Sequence, residues 1–290
     1  MKPITCDAHC DALWIKSGYA LRQSPPTVDP LRMKFGGLDR VVLALYMSDQ
    51  WQDSLGDTKT WEAIQKQILN ARMAFPGQFI ALEGGRCLGK DPIIAHIRLR
   101  QLAKDGIKYL TLTHNSNNAL AGSSTAKTKQ GLTKLGYDIM EECEFSGIFV
   151  DVSHASDETF AEVAATSSKP VIASHSGCKS ILRHPRNLTD TQLLHISLTN
   201  GIVGVPFVKK FVGTLDGVAQ HVDHICQVTG AVKHVCIGSD LDGAEMVDGV
   251  HGAEDWSKVV LDGLSLRGFT DEAIMKIAGG NLMRLFGEAT

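Results

Sequence analysis

Long hydrophobic runs are missing from this 290-residue chain, and no stretch approaches the roughly 20 consecutive apolar residues that span a bilayer. The opening Met1-Lys2-Pro3-Ile4-Thr5 lacks the apolar core of a secretory signal, and the closing Phe286-Gly287-Glu288-Ala289-Thr290 does not read as an anchor-attachment tail. These absences set the expectation of a cytoplasmic protein without stable membrane insertion. An excess of either charge is missing too. With 29 Lys and Arg against 32 Asp and Glu, the formal net charge of -3 offers nucleic acid no general attraction. The short basic stretch at 127–134 reads as solvated surface. The seven cysteines include no zinc-finger pair and no CxxC, so they read as reduced thiols. Cys236 lies in an apolar run as a small hydrophobe, whereas Cys10 and Cys178 flank candidate ligands. No repeat of fixed period is present. Gly84-Gly85 and Gly279-Gly280 permit tight turns but supply neither a dinucleotide nor a triphosphate fingerprint.

What is present is an alternation of short apolar runs with longer amphipathic segments. Strands are expected at 4–7, 41–46, 79–82, 107–113, 147–152, 171–174, 202–205 and 235–238, and helices at 60–75, 92–104, 133–145, 157–165, 190–198, 214–228 and 272–286. Asp157-Glu158 and Asp190 place acids at first helical turns, where free amides and the positive helix end favour them. Ile274, Ile277, Leu282, Leu285 and Phe286 recur at helical spacing and are expected in the core. Strands apolar on both alternations, separated by helices, predict an α/β fold, a (β/α)8 TIM-type barrel using residues 1–290 as one domain. Longer connections at 16–37, 115–130 and 244–255 follow strand ends and could cover the C-terminal rim.

Four of the apolar runs end in potential metal ligands: Asp7-Ala8-His9-Cys10-Asp11, Ala81-Leu82-Glu83-Gly84-Gly85, Val150-Asp151-Val152-Ser153-His154 and Ile172-Ala173-Ser174-His175-Ser176. On neighbouring parallel strands these ends converge on one rim. His9 and Asp11, two positions apart, face the same way from an extended segment. Glu83, buried after Phe-Ile-Ala-Leu, needs a cation or several donors to offset its desolvation. As a bridging carboxylate it would hold two divalent cations about 3.5–4 Å apart, a spacing suited to sharing one hydroxide. His154 and His175 offer imidazoles to the second cation, and zinc suits this mixed nitrogen and oxygen set, with manganese or cobalt as substitutes. Read one at a time, each could equally be a hydrogen-bonded structural histidine or a solvent-facing acid. Their recurrence at strand ends separates the two readings.

The chain resembles the renal or membrane dipeptidase family, the M19 metallopeptidases with amidohydrolase-like barrels. In that family's order stand Asp7-Ala8-His9-Cys10-Asp11, Leu82-Glu83-Gly84-Gly85, Leu112-Thr113-His114, Asp151-Val152-Ser153-His154, Ser174-His175-Ser176, Arg186-Asn187 and Ile237-Gly238-Ser239-Asp240-Leu241-Asp242-Gly243. Gly280-Asn281-Leu282-Met283-Arg284-Leu285-Phe286 is similar to the family's closing helix. The resemblance implies that His9 and Asp11 bind one zinc, His154 and His175 the other, and Glu83 bridges them. It implies catalytic or substrate contacts at His114, Arg186 and Asp240, with Asn187 beside the arginine. It also allows a homodimer.

These residues suit hydrolysis of an amide. His114 could donate to the oxygen that becomes negative, Asp240 could carry the proton to the departing amine, and Arg186 could grip a terminal carboxylate. Asp242 competes with Asp240 or braces the loop, and Arg183 competes with Arg186. A carboxylate gripped one peptide bond from the attack point favours dipeptides. The expected activity is therefore a zinc-dependent dipeptidase using a hydroxide shared by two metals. A related amidase acting on N-acyl amino acids or other small carboxylate-bearing amides is the alternative, and an inactive small-ligand-binding barrel stands behind both. Asn115-Ser116-Asn117-Asn118-Ala119-Leu120 departs from the family's usual substrate loop after threonine-histidine, which leaves side-chain preference and recognition of a free amino group open.

Overall fold

The computed structural model describes residues 3–13 and 27–288, so residues 16–26 of the expected rim connection and the last two residues of the chain's end lie outside it. Eight parallel strands close into a barrel in chain order: β1 (Cys6–Cys10), β2 (Arg40–Leu45), β3 (Phe79–Glu83), β4 (Ile107–Thr111), β5 (Phe149–Asp151), β6 (Ile172–Ala173), β7 (Ile202–Val205) and β8 (Val235–Ile237). Pairing of Asp7 with Ile237 joins β8 back to β1. Every strand expected from the apolar runs is present, several shortened at their ends and the first shifted from 4–7 to Cys6–Cys10.

The strands are apolar on both alternations because both faces are covered. Val41, Leu43, Leu82, Leu110 and Val203 belong to the large core shared with the helices. Cys6, Ala8, Val42, Ala81, Tyr109, Ile172, Ile202 and Cys236 form a second buried cluster, in which Cys236 packs as the small hydrophobe expected. Leu282, Met283 and Leu285 join that cluster, and Phe286 packs against Phe79 and Phe149, the first residues of β3 and β5. The closing helix thus plugs the N-terminal mouth and leaves the opposite rim for chemistry.

The helices begin where side chains satisfy their free amides. Ser156 accepts from Thr159 N, Thr214 from Gly217 N, and Thr189 forms a reciprocal capping box with Gln192. Short helices arise inside connections that the hydrophobic pattern left unassigned, among them Lys209–Val212 and Gly263–Leu266. Pro30–Phe35 starts on Asp29 with proline in the first turn, and Asp49–Leu55 starts on Ser48. The expected helix at 272–286 is interrupted: Asp271–Met275, a wider turn at Lys276–Gly280, then Asn281–Phe286. The break falls where the chain presses on β1, since a Cβ on Gly279 would stand 2.2 Å from the Ile4 carbonyl oxygen. Among the described residues no helix is long and apolar enough to cross a membrane.

Candidate metal centre

The C-terminal strand ends deliver the candidate side chains to one rim. His9 lies in β1 with Asp11 just beyond, and Glu83 closes β3. His114, His154, His175 and Asp240 follow β4, β5, β6 and β8. His9, Asp11, Glu83, His154, His175 and Asp240 are buried, and His114 is half-buried.

Glu83 stands between the histidines. Its Oε1 is 3.0 Å from His154 Nε2 and 3.5 Å from His175 Nε2, while Oε2 is 3.8 Å from His9 Nε2. His9 Nε2 also lies 3.8 Å from Asp11 Oδ1 and 3.9 Å from Asp240 Oδ1. Donors around one zinc at about 2.0–2.2 Å in tetrahedral array stand about 3.3–3.6 Å apart, so these separations suit atoms turned towards shared cations. Three sets of donor atoms fall within 4.8 Å of one another: His9 with Glu83 and His175, Glu83 with His114 and His154, and His9 with Asp11 and Asp240. The structure therefore brings all five expected ligands together, and adds His114 and Asp240 at ligand range.

The donor set fits divalent metal on independent grounds. His9 Nε2 and Asp11 Oδ1 are buried without a hydrogen-bond partner, an arrangement that costs about 1–3 kcal/mol per group unless something else meets them. Burial pushes the carboxyls of Glu83 and Asp11 well above the usual range, and neighbouring carboxylates push the same way. Burial raises Asp240 to about 7 against the opposing pull of Arg186. Burial lowers His9 and His114 to about 3 and takes His154 and His175 well below their ordinary value, with Arg186 adding to each shift. The imidazoles are thus neutral and able to ligate, while the crowded carboxylates face one buried cation, Arg186, which does not offset their burial. Backbone strain marks the same place: His154 and Asp240 adopt left-handed conformations at φ 70° and 62°.

Several supporting groups escaped the sequence reading. Tyr109, inside β4, donates to the Ala8 carbonyl at 2.8 Å and receives His9 Nδ1 at 2.8 Å, which leaves His9 Nε2 free of hydrogen. Its apolar run disguised it as strand filling. Asp7 accepts from His9 N and Ser239 N at 3.1 and 2.8 Å and from Trp256 Nε1 at 3.1 Å. Burial raises Asp7 to about 6 despite those donors. Its position two residues before a candidate ligand was the available signal.

Around the rim, Arg186 is buried, its Nη2 lies 3.3 Å from the His175 carbonyl, and its Nε has no protein partner. Burial lowers it to about 10, so it remains charged at neutral pH. The guanidinium rests on the Phe211 ring at 5.4 Å. Asn187 turns its amide to backbone, accepting from Gly177 N and donating to the Leu182 and Phe211 carbonyls. Asp242 braces the loop by accepting from Thr27 N at 3.0 Å and Thr27 Oγ1 at 2.6 Å. His114 touches the Tyr46 hydroxyl through Nδ1 at 3.4 Å, and exposed Asn115 approaches Nε2 at 3.3 Å. All seven cysteines are free, and none belongs to the three donor groups.

Residues 38–290 match the membrane dipeptidase family, Peptidase family M19. The chain belongs to that family. Relatives of this M19 chain include an uncharacterized dipeptidase of Schizosaccharomyces pombe, 35% identical over 217 residues that cover 71% of this chain and 52% of that protein. Dipeptidase verJ of Clonostachys rogersoniana is 34% identical over 245 residues, covering 82% and 61%. The chain spans about half to three-fifths of the length of these curated relatives. Among solved structures, the probable dipeptidase PvdM from Pseudomonas aeruginosa superposes with a TM-score of 0.85 at 20% identity, covering 99% of this chain and 95% of that one. A Rhodobacter sphaeroides metallopeptidase, liganded with a phosphinate mimic of the dipeptide L-Ala-D-Ala, gives a TM-score of 0.81 at 22% identity, with 99% of both chains covered. At these identities the M19 chain shares their fold.

Proposed function

We propose that this chain is a metal-dependent dipeptidase, a single catalytic domain over residues 1–290 that hydrolyses small peptides with two divalent cations, zinc by preference. The observation that carries the reading is Glu83, buried with one carboxylate oxygen towards His154 and His175 and the other towards His9. We assign His9 and Asp11 to one cation, His154 and His175 to the other, and Glu83 to both. When bound, the pair supplies a hydroxide nucleophile at neutral pH and polarises a carbonyl.

The remaining residues divide the other tasks. Arg186 offers its planar donors to the substrate's terminal carboxylate, and its burial strengthens that attraction. A carboxylate held there leaves one peptide bond at the centre, which selects dipeptides over longer chains. Neutral His114, with the Tyr46 hydroxyl 3.4 Å from Nδ1 and the Asn115 amide nitrogen 3.3 Å from Nε2, offers a ring N–H to the oxygen that gains negative charge. Asp240, whose Oδ1 lies 3.9 Å from His9 Nε2 beside the centre, can take a proton from the nucleophile and release it to the leaving amine. Asn187 shapes the Arg186 loop through its backbone contacts. The seven free cysteines support a reducing, cytoplasmic setting.

The test is a panel of dipeptides varying both stereochemistries, with matched N-acylated and C-amidated forms, assayed on protein of measured metal content. Cleavage of free dipeptides, lost on chelation and restored by zinc, supports the reading. Cleavage of N-acylated substrates alone overturns it in favour of an amidase, and two bound metals without turnover favour a binding role.

A further inference from the structure

We infer that Asp151 is a positioning residue that sets the His175 tautomer through the Ser174 hydroxyl, and so decides whether His175 can ligate metal. The inference rests on the metal assignment proposed above. Asp151 closes β5 with its carboxylate fully engaged. Oδ1 accepts from the backbone amides of Ser153 and Ser174 at 3.0 and 2.9 Å. Oδ2 accepts from the hydroxyls of Thr111 and Ser174, both at 2.6 Å.

A serine hydroxyl has one hydrogen and two acceptor sites. Ser174 spends its hydrogen on Asp151 Oδ2, to which its hydroxyl donates at 2.6 Å. Its remaining neighbours are His175 Nδ1 at 2.9 Å and Ser153 Oγ at 3.3 Å, and both must therefore donate to it. His175 thus carries its hydrogen on Nδ1. Its Nε2 keeps a lone pair and faces Glu83 Oε1 at 3.5 Å and His154 Nε2 at 3.0 Å. Ser153 Oγ meanwhile accepts from the His175 amide at 3.1 Å, so the ring's backbone is held by the same network.

Replacing Asp151 by asparagine reverses the chain of donors. Two backbone amides point at the Oδ1 position, which obliges the carboxamide oxygen to remain there and places the NH₂ at the Oδ2 position. That NH₂ donates to Ser174 Oγ, the serine hydrogen turns to His175 Nδ1, which at 2.9 Å is nearer than Ser153 Oγ at 3.3 Å, and the imidazole hydrogen moves to Nε2. A protonated Nε2 has no lone pair for a cation. Ser174→Ala removes the constraint without imposing the wrong tautomer, so its effect is the smaller one.

Imidazole ¹⁵N–¹H correlation spectra of the metal-free full chain read the tautomer directly, and competition with a chromogenic chelator reads zinc affinity at each step of loading. The expected result is Nδ1–H for His175 in the wild type, Nε2–H in Asp151→Asn, and a mixture in Ser174→Ala. One of the two zinc ions should be held about 10–100-fold more weakly in Asp151→Asn. Ser174→Thr, which keeps the hydroxyl, should restore both readings, a rescue that a loss of packing would not give. Nε2–H on wild-type His175, or unchanged tautomer and zinc affinity in Asp151→Asn, overturns the inference. Should Asp151→Asn fail to fold, the wild-type spectrum and the Ser174→Ala and Ser174→Thr pair decide the matter. The tautomer is read without substrate, so failure of peptide hydrolysis counts against the proposed activity and leaves this inference to its own result.

Discussion

Glu83 Oε1 lies 3.0 Å from His154 Nε2 although the two residues come from strands that are not neighbours, β3 and β5. Removing the charge while keeping the shape tests this contact. Glu83→Gln should bind fewer than two zinc ions by elemental analysis and lose at least about 10³-fold in kcat, while circular dichroism remains native. Two retained ions with undiminished turnover would remove Glu83 from the centre.

Arg186 should act on the substrate's carboxylate. Arg186→Lys keeps a charge but loses the paired planar donors, so KM for a dipeptide should rise by about ten- to a hundredfold, a loss of about 1.4–2.7 kcal/mol. C-amidated substrates should show little difference between the two proteins. An equal penalty on both substrate classes would argue against carboxylate recognition.

Gly243 keeps two candidate ligands apart from the main chain. A Cβ there would stand 2.1 Å from Asp11 Oδ2 and 2.4 Å from Asp240 Oδ1. Gly243→Ala should weaken zinc binding in chelator competition with little loss of metal-free stability, because those carboxylates can shift. Gly279→Ala should do the reverse, costing about 1–3 kcal/mol in thermal or denaturant melts through its clash with the Ile4 backbone, far from the rim.

The metal-free protein should become less stable as pH rises from 6.5 to 8. Asp240 is raised to about 7, so its contribution is complete below the unfolded value near 4 and is lost as pH rises through the folded one. Glu83 and Asp11 are raised and act with the same sign. The lowered histidines act oppositely, their contribution present above about 6.5 and lost as pH falls, so they offset the carboxylates most at the acid end of the window and least near 8. Melts in chelator should show the slope, Asp240→Asn should flatten it, and zinc loading should suppress it. A flat metal-free profile would contradict the burial of these charges.

The barrel was legible because its cause is local. Strands covered on both faces must be apolar at every position, and the runs around Val41, Ile80, Leu110 and Val203 announce that directly. The His-x-Asp and Glu-Gly-Gly endings were legible for a related reason, as polar groups placed where an apolar run reaches a rim. The break at Gly279 was not, because it answers to the Ile4 carbonyl, 275 positions away in the chain. Nor was the part of Tyr109, whose apolar neighbours conceal a hydroxyl turned to His9. By itself the sequence determined the order of the strands and of the longer helices between most of them, the candidate ligands and the side of the barrel that carries them. Only the tertiary structure decided which oxygen of Glu83 meets which histidine, and which ring nitrogen of His9 and His175 is left free. Those outcomes depend on hydrogen-bond directions between strands brought side by side by closure, and no local pattern encodes a direction between residues that meet only when the barrel closes.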